Sequence, residues 1–295
     1  MHLDLPSRRK MVGMQTVCPL CQRAEINHLH ERRFQDVNWS LARCASCGLH
    51  FTDPTPTESE IRRFYSGDFH VQLRRSGASE QAFGARFARY VDWIRHFVPP
   101  GRVLDVGCAT GLLPRLLQDA GYVAEGVELH PETAQWGAAH YGIPIKIGSL
   151  DVFSSQVNIF DLITLTEVVE HTPHPVEFLV SVHRLLKNDG HALVTFPDIV
   201  SLKSRYYRRL ARVTRREWVW VTCHMPLHIW EFTYETAIAT FAKAGFSIVG
   251  FRRSEVDGEL SGKFVPLMWP MKPLNLHFLA TRFGSQMEFL VRKTQ

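Results

Sequence analysis

Four cysteines fall in two pairs near the N-terminus, CPLC at 18–21 and CASC at 44–47, with 22 residues between them. A CxxC turn aims two thiolates at one point, and two such turns supply the tetrahedral four-sulfur set that Zn²⁺ favours. Cys18, Cys21, Cys44 and Cys47 are therefore expected to hold a structural zinc. A closed four-cysteine site keeps no open position for chemistry, so its expected role is folding. The competing reading is a set of reduced or disulfide-forming thiols, and His28, His30 and His50 are nearby substitutes as ligands. Cys108 and Cys223 stand alone. That uneven placement is unlike a secreted disulfide framework and predicts a reducing, cytoplasmic setting.

A second constellation is VLDVGCATGLL, Val103 to Leu113, in which a short apolar strand ends on an acid before a loop of small residues. The dinucleotide fingerprint G-x-G-x-x-G places its third glycine three residues after the second. Here Gly107, Ala109 and Gly111 are spaced by two and two, and the residue three beyond Ala109 is Leu112. The spacing speaks against a pyrophosphate cradle, and so against an NAD-linked enzyme. Small residues instead let the backbone run close to a ligand. Asp105 is placed to accept from a ligand ammonium or a loop N–H, and Glu128, 21 residues after Gly107, lies where an acid accepts the hydroxyls of a ribose. Two histidines are candidates for a general base near neutral pH: His171 after Glu170, and His228 in HMPLHIWEFTYET. Each has a plainer reading, as a loop pin and as a packing residue.

Elements that position these groups follow from hydrophobic periodicity. Strands read at 102–106, 123–127, 145–147, 160–165 and 191–196, with helices near 112–120, 131–140 and 175–187 between them. Alternating βα units imply a mainly parallel sheet with helices on both faces. A helix at 234–244 and strands at 246–252 and 286–292 predict an antiparallel C-terminal hairpin with a long loop. Residues 58–97 read as helical up to the Pro99-Pro100-Gly101 stop. The expected division is a ribbon at 1–52, a helical connector at 53–100, and a catalytic domain at 101–295 with a basic lid insertion at 199–232.

In order, these motifs resemble the class I S-adenosyl-L-methionine (SAM)-dependent methyltransferases. LDVGCATG looks like their first motif, GVELHPE like the second, FDLITLTEVVEH (160–171) like the fourth-strand motif, and LLKNDGHALVTFPD (185–198) like the segment after it. The resemblance implies an α/β, Rossmann-like sheet carrying a small N-terminal zinc ribbon. It also implies that Asp105, Gly107, Cys108, Ala109 and Gly111 meet the methionine end of SAM, and that Glu128 holds the ribose with Leu129 against the adenine. Ser149 and Leu150 would flank the adenine, Thr166 and Glu167 would close the pocket near the sulfonium, and Tyr65 in FYSGDF would cover the cofactor. The family usually has glycine where this chain has Ala109, a mild change provided positive φ is not needed there. Ubiquinone-type O-methyltransferases are similar in placing a histidine shortly before an aromatic-Ser/Thr pair, here Phe232-Thr233.

The [ND]-P-P-[YF] signature of many amino-group methyltransferases is absent after the fourth strand, where TEVVEH stands. This favours methylation at oxygen of a small-molecule or carbohydrate-like acceptor. The net charge of +5 is local: residues 199–220 hold seven basic residues and one acid. Interleaved with Tyr and Trp, they suit an anionic acceptor, or RNA as the rival substrate. A non-catalytic SAM-binding scaffold is the rival of another class. No run of apolar residues is long enough for a transmembrane helix. KFVPLMWPMKPL (263–274) fits an active-site cap, a subunit contact, a membrane surface or the protein's own core.

Overall fold

Strands that alternate apolar side chains with no polar face must be covered on both sides. The computed structural model shows this arrangement and describes residues 17–34, 37–65, 74, 77–202, 204–205, 208–209, 225–254 and 284–294. The first unit is built from β1 (Ile26–Phe34), β2 (Val37–Cys44) and β3 (His50–Asp53). Helices α1 (Glu58–Tyr65) and α2 (Ala78–Arg95) follow. Among the described residues, the expected helix over 58–97 appears as these two separate helices. Gly77 caps α2 at φ 75°, a conformation that interrupts a right-handed helix.

The alternating region runs β4 (Arg102–Val106), α3 (Leu112–Asp119), β5 (Val123–Glu128), α4 (Pro131–Tyr141), β6 (Ile145–Ile147), β7 (Phe160–Thr166), α5 (Pro175–Leu185) and β8 (Leu186–Pro197). After the basic stretch come β9 (Trp230–Glu231), α6 (Tyr234–Lys243), β10 (Phe246–Ser254) and β11 (Gln286–Lys293). The seven-stranded sheet has the order β10-β11-β8-β7-β4-β5-β6. Pairings from β8 to β6 are parallel, and β11 is antiparallel to both β8 and β10. This is the expected sheet with its antiparallel hairpin. β8 starts directly at the end of α5, five residues earlier than periodicity suggests. The hairpin's loop, including 263–274, lies outside the described residues.

Neighbouring side chains divide between two apolar layers. Leu104, Ile163, Leu165, Val194, Phe196 and Phe289 join Leu179, Val182 and Phe241 of α5 and α6 on one face. Val103, Leu162, Leu193 and Leu290 join Tyr90, Val91 and Ile94 of α2, with Leu113 and Leu117 of α3, on the other. The ribbon is continuous with the first layer. Cys18, Leu20, Cys44, Leu49 and Phe51 belong to the same cluster as Ile229, Trp230 and Phe232. Its strands form a second sheet, β1-β2-β3-β9, whose last member comes from the far end of the chain. No described helix is long and apolar enough to cross a membrane.

Candidate active site

From β4 the chain moves outward to β5 and β6, then crosses back to β7 and β8 on the other side. Such a switch point opens a crevice at the carboxyl ends of the two central strands, where open α/β sheets bind ligands. The loop 107–111 lines it. Gly107, Ala109 and Gly111 all have positive φ, at 69°, 47° and 83°. The proviso on Ala109 therefore fails, and an alanine held there costs on the order of 1 kcal/mol relative to glycine.

Glu128 clasps this loop. Its Oε2 accepts from the Ala109 amide at 2.9 Å, and its Oε1 accepts from the His130 amide at 2.8 Å. Burial raises its pKa despite these donors. Asp105 is buried and accepts from the Thr164 hydroxyl at 2.6 Å. Burial pushes its carboxyl up to about 7; the Thr164 bond opposes this and nearby Glu128 adds to it. The Gly107 and Cys108 amides donate to the Val127 carbonyl, tying the loop to β5. The Cys108 sulfur packs against Gly126, so its backbone is the part that borders the crevice. Leu129 is 58% exposed beside the crevice. Ser149 caps a short turn at 150–153 and donates to Asp151, and Leu150 is buried behind it. Tyr65 is the last residue of α1, and its side chain is not among the described ones.

One candidate escaped sequence reasoning. Arg86 is only 5% exposed, its guanidinium lying over the Phe83 and Phe87 rings at 5.1 and 5.7 Å. No carboxylate pairs with it among the described residues. A buried cation without a counter-charge is costly, so the site favours an anion. On the same helix Ser79 bonds the Thr110 hydroxyl of the glycine loop at 2.8 Å, which sets α2 over the crevice. The visible signal was a charge on an otherwise apolar helical stripe, Phe83, Phe87 and Tyr90.

The second group forms beyond β7. Thr166 ends that strand, and Glu167 follows it at φ 57°. Its carboxylate accepts from Thr195 at 3.4 Å and from Gln286. One turn later, donor atoms of Glu170, His171 and His228 lie within 4.8 Å of one another. His171 bonds the Leu227 carbonyl through Nδ1 at 2.9 Å. A carbonyl only accepts, so Nδ1 carries the proton and Nε2 is the lone-pair nitrogen of the neutral ring. The two imidazoles meet edge to face, with centroids 4.8 Å apart. His228 is buried, and burial pulls its pKa down to about 4. It is therefore neutral at physiological pH, suited to coordination and weak as a base. Its Nδ1 is 3.3 Å from Glu231. Both carboxylate oxygens of Glu170 are buried without a hydrogen-bond partner. Burial, then the charges of Glu167 and Glu231, push its pKa well up. Carboxylate oxygen and neutral imidazole nitrogen form a donor set for a divalent cation, whose charge would answer these acids. Sequence reasoning named Glu170 only as the neighbour of His171.

The four-cysteine set closes as expected. Cys18 and Cys47 sulfurs are 3.6 Å apart, and Cys21 and Cys44 sulfurs 3.5 Å. A tetrahedron with Zn–S near 2.3 Å requires about 3.8 Å between sulfurs, so the residues fit a thiolate-bound metal. The Cys47 amide donates to the Cys44 sulfur at 3.5 Å. The cluster contains no histidine. His28 instead bonds Asp53 at 2.9 Å. Trp230 is buried against Phe232 as a core residue. Trp218, Trp220 and most of the basic stretch lie outside the described residues.

Known proteins resemble this chain in sequence and in fold. A family described as a methyltransferase domain matches residues 81–250. A ubiquinone biosynthesis O-methyltransferase of Haemophilus ducreyi is 31% identical over 99 residues, covering 30% of this chain and 42% of that protein. The chain thus spans about two fifths of the length of that curated relative. In fold, it is similar to a SAM-dependent methyltransferase from Archaeoglobus fulgidus, with TM-score 0.51, 18% identity, and coverage of 73% of this chain and 97% of that one. It is also similar to a chain from the complex of the Haloferax volcanii Trm112 methyltransferase activator with a methyltransferase, with TM-score 0.55, 13% identity, and coverage of 78% and 99%.

Proposed function

Because the chain belongs to the methyltransferase-domain family that matches residues 81–250, we propose that it methylates an oxygen of a small-molecule or carbohydrate-like acceptor, using SAM. SAM supplies an activated methyl group on its sulfonium, and the protein's task is to bind, orient and exclude water. Glu128 holds the ribose hydroxyls while fixing the loop. Asp105, Gly107, Cys108, Ala109 and Gly111 border the methionine end, and Arg86 offers its carboxylate a counter-charge. Leu129, Ser149 and Leu150 surround the adenine, with Thr166 and Glu167 beside the sulfonium and Tyr65 as cover.

The observation that carries the oxygen assignment is the Glu170–His171–His228 cluster at the end of β7. These residues would hold a divalent cation, which would lower the pKa of an acceptor hydroxyl bound to it. His171 and His228 thus act as ligands. In the absence of such a cation His171, through Nε2, is the better-placed base. Cys18, Cys21, Cys44 and Cys47 hold a structural zinc in this reading. The division at 1–52, 53–100 and 101–295 is kept in this reading, with the described residues of the ribbon sharing a core with the third stretch, and a cytoplasmic location fits the thiol-rich ribbon.

The test is calorimetric titration of the zinc-replete protein with S-adenosylhomocysteine, SAM and NAD, followed by an acceptor screen with and without Mn²⁺ or chelator. Saturable binding of both adenosyl ligands, lost in Glu128→Ala, with transfer that requires the metal, is the expected result. Binding of NAD alone would overturn the cofactor assignment. Transfer to RNA that weakens steeply with salt would replace the small acceptor with a nucleic acid.

A further inference from the structure

Nothing in the ribbon's own chemistry requires it to reach the segment that carries His228, yet it bonds that segment directly. Strand β3 pairs antiparallel with β9, with His50 opposite Glu231 and Phe51 opposite Trp230. One residue beyond that pairing, Thr52 makes two bonds to the segment that carries His228. Its hydroxyl donates to the His228 carbonyl at 2.6 Å, and its amide donates to the Ile229 carbonyl at 2.8 Å. The Ile229 amide then donates to the Glu170 carbonyl at 2.8 Å. His171 closes the far side through its bond to the Leu227 carbonyl. Residues 227–229 are therefore a bridge, gripped by the ribbon on one edge and by the turn after β7 on the other.

Arg32 of β1 reinforces the grip by donating to the Met225 carbonyl at 2.9 Å. Two side chains from the ribbon thus hold carbonyls on either side of Leu227. Residues 169–171, by chain order, follow closely on β7 of the large sheet. His228 meets Glu170 and His171 only where these two supports agree. We propose that the ribbon is a wall of the active site and that Thr52 is a positioning residue, setting His228 against Glu170 and His171.

Hydrogen bonding to Thr52 fixes the peptide on which the imidazole stands. Its loss removes that donor from the buried segment and lets the 227–229 bridge shift. Cys44 ends β2 and Cys47 lies three residues before β3, so the four-cysteine knot anchors the strand that carries Thr52. Metal binding far from the crevice is thereby coupled to its geometry.

The inference uses the cation-site reading for one of its two measurements only. Hydrogen–deuterium exchange by mass spectrometry is compared in full-length wild type, Thr52→Val and Thr52→Ser. Exchange in the peptide spanning 225–232 is expected to rise about tenfold in Thr52→Val, while peptides around Glu128 keep wild-type protection. Thr52→Ser restores protection, and chelation of the ribbon metal reproduces the Thr52→Val pattern. In parallel, calorimetric titration with Mn²⁺ is expected to show a dissociation constant about tenfold weaker in Thr52→Val, with S-adenosylhomocysteine affinity within twofold. If wild type takes no Mn²⁺ but exchange follows the pattern above, the cation reading fails and the positioning role stands. Wild-type exchange at 225–232 in Thr52→Val, or a rise spread evenly over the whole chain, would overturn the positioning role itself.

Discussion

A buried carboxylate carries its own pH signature, and Asp105 supplies one. Its pKa is about 7 in the folded protein against an ordinary value of 3.8. Between those values the folded chain holds a proton that the unfolded chain has released. Stability therefore falls as pH rises through this window, by about 1.4 kcal/mol per pH unit from this one group, and levels off above the folded pKa. Glu128 and Glu170 are shifted in the same direction and add to the slope. Asp105→Asn isolates the contribution, since an amide oxygen still accepts from Thr164 but does not titrate. Urea unfolding at a series of pH values from 4 to 8 should show a slope shallower by about 1 kcal/mol per unit in the variant. Equal slopes would mean that Asp105 is ionised in the folded protein throughout.

Helix α4 reaches the crevice through a glycine. A β-carbon at Gly137 would come within 2.1 Å of the Thr110 carbonyl oxygen, so the helix packs against the loop backbone itself. Gly137→Ala must push the two apart, and overpacking of this kind costs about 1–3 kcal/mol. Because the displaced backbone is the one that Glu128 clasps, S-adenosylhomocysteine affinity should fall with stability, measured by calorimetry and urea unfolding together. Unchanged affinity in a destabilised variant would place the loop's shape outside the control of α4. The strands around this loop were legible in the sequence because strict apolar runs and small-residue turns mark them locally. The strand at 102–106 and the acid at 128 follow from that grammar alone. Other features had no local signal. Ala109 shows its positive φ only in three dimensions, Gly77 interrupts a periodicity that continues through it, and β9 is two residues long. Glu170 and His228 stand 58 residues apart in the chain. They meet because β9 is recruited by a strand from the ribbon, a long-range pairing that no window of sequence contains.

At the scale of the molecule, that pairing decides how the protein unfolds. A short ribbon has too little surface to bury a core of its own and commonly depends on its metal. Here it also borrows a core. Leu20, Leu49 and Phe51 are buried in the cluster that holds Trp230, Phe232 and Phe241, and each such side chain contributes about 1.5–3 kcal/mol when removed from water. Lys243 of α6 donates to the Leu20 carbonyl at 2.5 Å, a further tie between the two sheets. The interface therefore rivals the few kcal/mol by which a small unit is ordinarily stable, and the ribbon cannot melt without uncovering the core beside α6. Differential scanning calorimetry of the metal-replete protein should give one transition, and the chelated protein should again give one, at a lower temperature. The same lowering should appear in the part of the near-ultraviolet circular dichroism that Trp230→Phe removes, since Trp230 lies on the shared surface. Two separated transitions, with the second unmoved by chelation, would show instead that the ribbon folds as an independent unit and that its burial against β9 adds little. A single shifted transition makes the four cysteines part of the stability of the whole crevice, because the strand they anchor is also the one that holds His228 in place.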